Sequence, residues 1–171
     1  MRIMFIDPPP KTPRSTWQVS VLASLWMATL GNVVLWRSLS ALPDITGLHG
    51  LAFGMAFACM IAGVLCSLLA LLSWRWVFKP AVALLLLLTG FATYYMWMYG
   101  IVVDTPMVIN VFQTDAHEAR DQLSWQLLLT VLLLAGVPIV ALWRLHVMYG
   151  SFKQQLMSNL ALATSGLIVT F

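Results

Sequence analysis

Runs of about twenty consecutive apolar residues recur along this chain, and each is long enough to cross a hydrocarbon layer of about 30 Å as a helix. Four are complete, at roughly residues 17–36, 48–72, 77–98 and 124–143, and a fifth occupies 157–171. With 61% hydrophobic and only 9% charged residues and a mean hydropathy of +0.89, the chain lacks the polar surface of a soluble globule of 171 residues. The expected fold is an all-α, polytopic membrane helical bundle of four complete spans plus a truncated fifth. The first run is longer than the apolar core of a cleaved signal peptide and follows a mixed tail, residues 1–16, so it reads as a retained anchor.

Basic residues near span ends are retained on the cytoplasmic side. With the N-terminus inside, Arg2, Lys11, Arg14, Arg75, Lys79, Arg144 and Lys153 fall inside, and only Arg37 and Arg120 fall outside. Asp44, Asp104, Asp115, Glu118 and Asp121 then lie on the outer side. The formal charge of +3 is thus a product of membrane topology, and no nucleic-acid partner is expected. Most tryptophans agree with these span ends, where an amphipathic indole is favoured; Trp26, in mid-span, is the exception.

Pro8 to Pro10 and Pro13 make the N-terminal tail non-helical. Gly50, Gly54, Ala58 and Ala62 recur every fourth residue and predict a close helix contact inside the bundle. Lys79-Pro80 opens the third span, and Ser151 with Gln154 forms a capping pattern before the last helix. Cys59 and Cys66 are seven residues apart on one helix, about 10.5 Å, too far to bridge within it. The fifth run stops after fifteen residues, which predicts a larger protein whose missing part is extracytoplasmic.

A polar island, DTPMVINVFQTDAHEARD at 104–121, separates the third and fourth spans and holds four of the six acidic residues. It is far longer than a simple turn between helices. Asp104-Thr105-Pro106 is a helix start, after which Asn110, Thr114 and Glu118 follow at spacings of four and share one face, opposite Val108, Val111, Phe112, Ala116 and Ala119. The spacing predicts an amphipathic helical loop at the outer boundary of the membrane. An amide, a hydroxyl and a carboxylate in one stripe suit a zwitterionic headgroup, the carboxylate meeting an ammonium and the others bonding phosphate or glycerol oxygens. Asp115-Ala-His-Glu118 equally fits the start of a second short helix, with Glu118 as a cap only. His49 and His146 belong to opposite span ends and cannot share a haem, and His117 stands alone in the island. No Cys or His spacing suits zinc, no glycine-rich phosphate loop occurs, and no Ser-His-Asp set is recognisable.

The stretch Tyr94 to Asp121, YYMWMYGIVVDTPMVINVFQTDAHEARD, resembles the membrane domain of the bacterial phosphoethanolamine transferases, including the colistin-resistance enzymes that modify lipid A. The likeness rests on Tyr99-Gly100, Asp104, Met107, Asn110, Gln113-Thr114 and Glu118-Ala119, with SWRWVFKP at Ser73 to Pro80. It implies five membrane helices in the bacterial inner membrane, followed by a periplasmic sulfatase-like catalytic domain absent from this chain. There a zinc-activated threonine would take phosphoethanolamine from phosphatidylethanolamine and pass it to lipid A or another envelope glycolipid, a modification tied to polymyxin resistance. By the same resemblance the membrane part supplies Asn110, Thr114 and Glu118 to the substrate site. It holds no catalytic residue and no metal, and is expected to be inactive alone. A noncatalytic scaffold or partner-docking module is the alternative.

Overall fold

The computed structural model describes residues 13–43, 45, 47–100 and 124–170. Four helical segments, Thr16–Ser40, Gly47–Leu71, Phe78–Tyr99 and Trp125–Arg144, are long and apolar enough to cross a membrane. A further helix, Phe152–Thr170, follows. The chain is a polytopic helical bundle, as the apolar runs predict, while the amphipathic loop expected at 104–121 lies outside the described residues. The N-terminal tail up to residue 12 lies outside them too.

The segments alternate in direction. The second span packs against the first and against the last helix, and the third packs against the fourth. Val19, Met27, Leu69, Phe78, Val82, Leu86, Ala135 and Leu142 form the shared core. Large apolar residues such as Leu51, Leu132 and Val140 remain exposed, the surface expected of helices solvated by lipid.

Hydrocarbon offers no partner to a backbone polar group, so any break in a span needs protein donors or acceptors. The first span breaks: an α-helix over Thr16–Ala28 gives way to a 3-10 turn at Leu30–Asn32 and resumes at Val33–Ser40. Side chains serve the carbonyls left over. Asn32 Nδ2 donates to Met27 O at 2.9 Å and the Trp36 indole to Ala28 O at 2.9 Å. The Thr93 hydroxyl of the third span has its one proton within reach of Gly31 O at 2.5 Å and Thr89 O at 2.8 Å. A Cβ at Gly31 would collide with the Thr89 methyl, so glycine lets the two spans meet. The uninterrupted first crossing suggested by apolarity is therefore a broken helix.

The fourth span is irregular for a different reason. Pro138 has no N–H, so Leu134 O, four residues earlier, loses its α-helical donor. The backbone widens into a π-helix over Leu132–Gly136, and the indole of Trp26 donates to Leu134 O at 3.0 Å. This accounts for the one tryptophan that is out of place as an interface anchor.

At the end of the bundle that carries the N-terminus, the last helix docks through buried polar groups. Gln155 Nε2 reaches Ser73 O at 2.9 Å, Thr16 Oγ1 at 3.0 Å and Asn159 Oδ1 at 3.0 Å, its two protons shared among them. Asn159 Nδ2 approaches Ser73 O at 3.4 Å, and Ser20 and Ser73 hydroxyls are 3.4 Å apart. Arg14–Ser15 pairs in parallel with Val147–Met148, and Arg14 N donates to His146 O at 2.9 Å. This two-residue pair, unforeseen in the apolar pattern, ties the start of the first span to the connection before the last helix.

The second span and the last helix approach each other closely through small residues. A Cβ on Gly63 would stand 2.6 Å from Gly166 O, and one on Gly166 2.6 Å from Gly63 O. The Ser67 hydroxyl lies 2.8 Å from Gly63 O and 2.9 Å from Ala163 O. Of the stripe Gly50, Gly54, Ala58 and Ala62, only Ala62 is buried, and Gly54 has open space around it. The contact uses the neighbouring register, Gly63 and Ser67, because the last helix supplies its own small residues, Ala163 and Gly166, farther along.

Two outcomes follow. Gly166→Val is expected to lower stability in detergent by about 1–3 kcal/mol through overpacking, with Gly54→Val near neutral in the same thermal melt. Trp26→Phe is expected to cost about 1 kcal/mol in the native sequence and clearly less in a Pro138→Ala background, where residue 138 regains an N–H for Leu134 O; equal costs in both backgrounds would disprove this pairing.

Candidate functional site

The third span ends at Tyr99, with Gly100 in the left-handed conformation at φ 63°, its N–H bonded to Met96 O. The fourth begins at Trp125, capped by Ser124, whose hydroxyl accepts from Leu127 N at 3.1 Å. The Tyr94 and Ser124 hydroxyls are 2.6 Å apart. Since Ser124 Oγ accepts from Leu127, a proton on either hydroxyl serves the other, and the bond clasps the two span ends from which the polar segment 101–123 leaves and returns. Asn110, Thr114 and Glu118, with Asp104, Asp115, His117 and Asp121, lie outside the described residues.

Between these span ends is a crevice of about 370 Å³, at the end of the bundle opposite the N-terminus. Its walls include Tyr94, Trp97, Trp125 and Leu129, with Gln126 and Thr130 as polar groups. Trp97 is half exposed and Trp125 three-quarters exposed, and the Arg37 guanidinium lies 5.0 Å from the Trp97 ring centre. Aromatic groups with one apolar and one wet face suit the headgroup level of a membrane, and Arg37 over Trp97 adds a cation–π contact there. A volume of this order suits a small-molecule or lipid segment.

Both irregular spans converge on this crevice. Val33, the first residue after the 3-10 turn, lines it, as does Thr93, which holds the Gly31 carbonyl. Leu134, whose carbonyl takes the Trp26 indole proton, also lines it. A π-helical segment inside an α-helix is a frequent mark of a functional position. Sequence reading of the polar island did not find these residues. Its available signals were Gly31-Asn32, Pro138 and the mid-span Trp26, each a local misfit in an otherwise regular apolar run.

His49, at the start of the second span, and His146, in the connection before the last helix, stand at opposite ends of the bundle, in keeping with their separation in the sequence. Cys59 and Cys66 are free thiols. Among the described residues no group of three or more His, Cys, Asp or Glu comes together, so their donor set does not fit a zinc centre.

Residues 61–171 match the sequence pattern of the family described as Phosphoethanolamine transferase EptA/EptB. The chain is 31% identical to the phosphatidylethanolamine transferase Mcr-1 of Escherichia coli over 145 residues, 84% of this chain and 26% of that protein. It is 31% identical to Mcr-2 of Escherichia coli over 119 residues, 70% of this chain and 22% of that protein. The solved structure of the lipooligosaccharide phosphoethanolamine transferase A (EptA) from Neisseria meningitidis superposes with a TM-score of 0.82 at 19% identity, covering 94% of this chain and 30% of that one. That likeness concerns the fold. The chain thus spans about a quarter of the length of the curated relatives it matches. With the family pattern covering most of its length, the chain belongs to the EptA/EptB phosphoethanolamine transferase family.

Proposed function

We propose that this chain is the membrane-embedded N-terminal part of an enzyme that moves phosphoethanolamine from phosphatidylethanolamine to lipid A or a related envelope glycolipid. Its part is to anchor the enzyme in the bacterial inner membrane and to help hold the donor lipid. The observation that carries this reading is the aromatic-walled crevice at the roots of the polar segment, in a chain of this family. With the N-terminus cytoplasmic, the crevice and residues 104–121 face the periplasm.

Phosphoryl transfer depends chiefly on positioning and on electrostatic stabilisation of the transferring group. A donor that is itself a membrane lipid must present its phosphorus above the surface in one orientation. The crevice receives the apolar and glycerol part of the donor, where Gln126 and Thr130 can bond ester or glycerol oxygens. Asn110, Thr114 and Glu118 grip the headgroup, the Glu118 carboxylate meeting the ethanolamine ammonium. In this scheme the nucleophile and a zinc centre would be supplied by a periplasmic part of the enzyme. Residues 1–171 alone are inactive in this scheme.

In the enzyme that carries the catalytic domain, Glu118→Ala is expected to lower transfer by about 10- to 100-fold, the worth of one charge-assisted bond. Thr130→Trp, which fills the crevice, lowers it with unchanged expression. The readout is the mass of lipid A from cells expressing each variant. Wild-type modification by Glu118→Ala would leave that carboxylate a helix cap, and wild-type modification by both variants would overturn the donor-holding role.

A further inference from the structure

A second concavity, of about 430 Å³, lies at the other end of the bundle, where the third span begins and the fourth ends. Arg75, Lys79 and His146 contribute its cationic and polar groups, and Trp76, Trp143 and Tyr149 its aromatic walls. Arg75, Trp76 and Lys79 come from the SWRWVFKP stretch, whose Ser73 anchors the last helix but whose basic residues have no role in the donor site.

Lys79 is held in place. Its ammonium donates to Leu145 O at 3.0 Å, at the C-terminus of the fourth span, and lies 5.6 Å from the centre of the Trp143 ring. One of three N–H bonds is thereby used, and the others are free to meet an oxygen in the groove. Arg75 is exposed, and its charge is felt at the Tyr149 phenol, which burial otherwise pushes above its ordinary range. Arg14 and Arg144 stand on the adjoining strand and helix end, adding to the positive charge.

No Asp or Glu occurs among the described residues, so no acidic side chain there neutralises these cations. The groove therefore suits an anion brought to it. The exposed indoles of Trp76 and Trp143 select its kind. At a span end they lie at headgroup depth, where they suit glycerol and upper acyl carbons, surfaces a dissolved anion does not have.

We propose that this groove binds the phosphodiester headgroup of an anionic membrane phospholipid in the leaflet on the N-terminal side of the bundle, with Arg75 and Lys79 on the phosphate and Trp76 and Trp143 against the glycerol and upper chains. The site is separate from the donor crevice by the full length of the spans and does not rest on the transferase reading. Lipid bound there would pin the third and fourth spans, the pair that also walls the crevice.

Native mass spectrometry of the purified protein, titrated with dioleoylphosphatidylglycerol or dioleoylphosphatidylcholine, tests it. Phosphatidylglycerol is expected to bind preferentially. Arg75→Gln should reduce that preference about 5-fold and Arg75→Gln/Lys79→Gln about 25-fold, while Lys153→Gln, the same charge change on the last helix outside the groove lining, leaves it intact. Should the double variant melt early through loss of the Leu145 contact, the single variant still decides. An undiminished preference in Arg75→Gln overturns the site. Glycerol 1-phosphate competing as tightly as the lipid overturns the lipid as its occupant.

Discussion

The architecture depends on the obligation to give every backbone polar group a partner where no water can supply one. In a straight α-helix the backbone meets that demand alone, which is why long apolar runs become spans without further help. Among the described residues the spans depart from regular α-helix twice, and at each departure a side chain from another span completes the bonding: Thr93 of the third span at Gly31, and Trp26 of the first span at Leu134. These bonds also fix how three spans sit together, since neither break can be satisfied unless the partner helix is in register. Local irregularity and tertiary order are here the same set of contacts.

Small residues and buried amides do comparable work for the last helix. Its apolar content is modest, and Gln155 and Asn159 face inward. Association in lipid gains little from hydrophobicity, so close backbone approach and interhelical hydrogen bonds carry it. The Gly63–Gly166 contact supplies the first and the Gln155–Ser73–Thr16 cluster the second. Ser73 is central because its carbonyl, at the turn between two spans, has left the helical ladder and remains available to donors from the last helix.

Apolar length and the absence of charge made the helical bundle legible in the sequence, since both follow from the thickness and polarity of the solvent and not from packing detail. The last helix was harder to delimit. Apolarity alone starts it at Met157, whereas the Ser151–Gln154 capping pattern marks the start that the structure shows, Phe152, with Ser151 N donating to Gln154 Oε1 at 3.3 Å. The stripe of Gly50, Gly54 and Ala58 was visible, yet its partner was not: which small face is used depends on where the facing helix places its own. The crevice was equally hidden. A missing proline N–H can be read from sequence, but that a tryptophan more than a hundred residues away would answer it requires the fold.

The clasp between Tyr94 and Ser124 bears on how the polar segment can act on a lipid. A long connection between two spans would ordinarily sample a wide volume above the membrane. Here it leaves at Gly100 and returns at Ser124, and Tyr94 holds the return point against the span that the segment has just left. The residues next to both anchor points, Trp97 and Met98 on one side and Trp125 and Gln126 on the other, are crevice walls. Whatever conformation the segment adopts, its ends are tethered to the rim of the crevice. Fixing the ends removes much of the closure entropy that a flexible segment would lose on engaging a ligand there. In the proposed donor-holding role, a lipid entering from the bilayer would meet the apolar walls of the crevice while Asn110, Thr114 and Glu118 engage its headgroup. A soluble molecule bearing the same headgroup could take up only the second of those two sets of contacts.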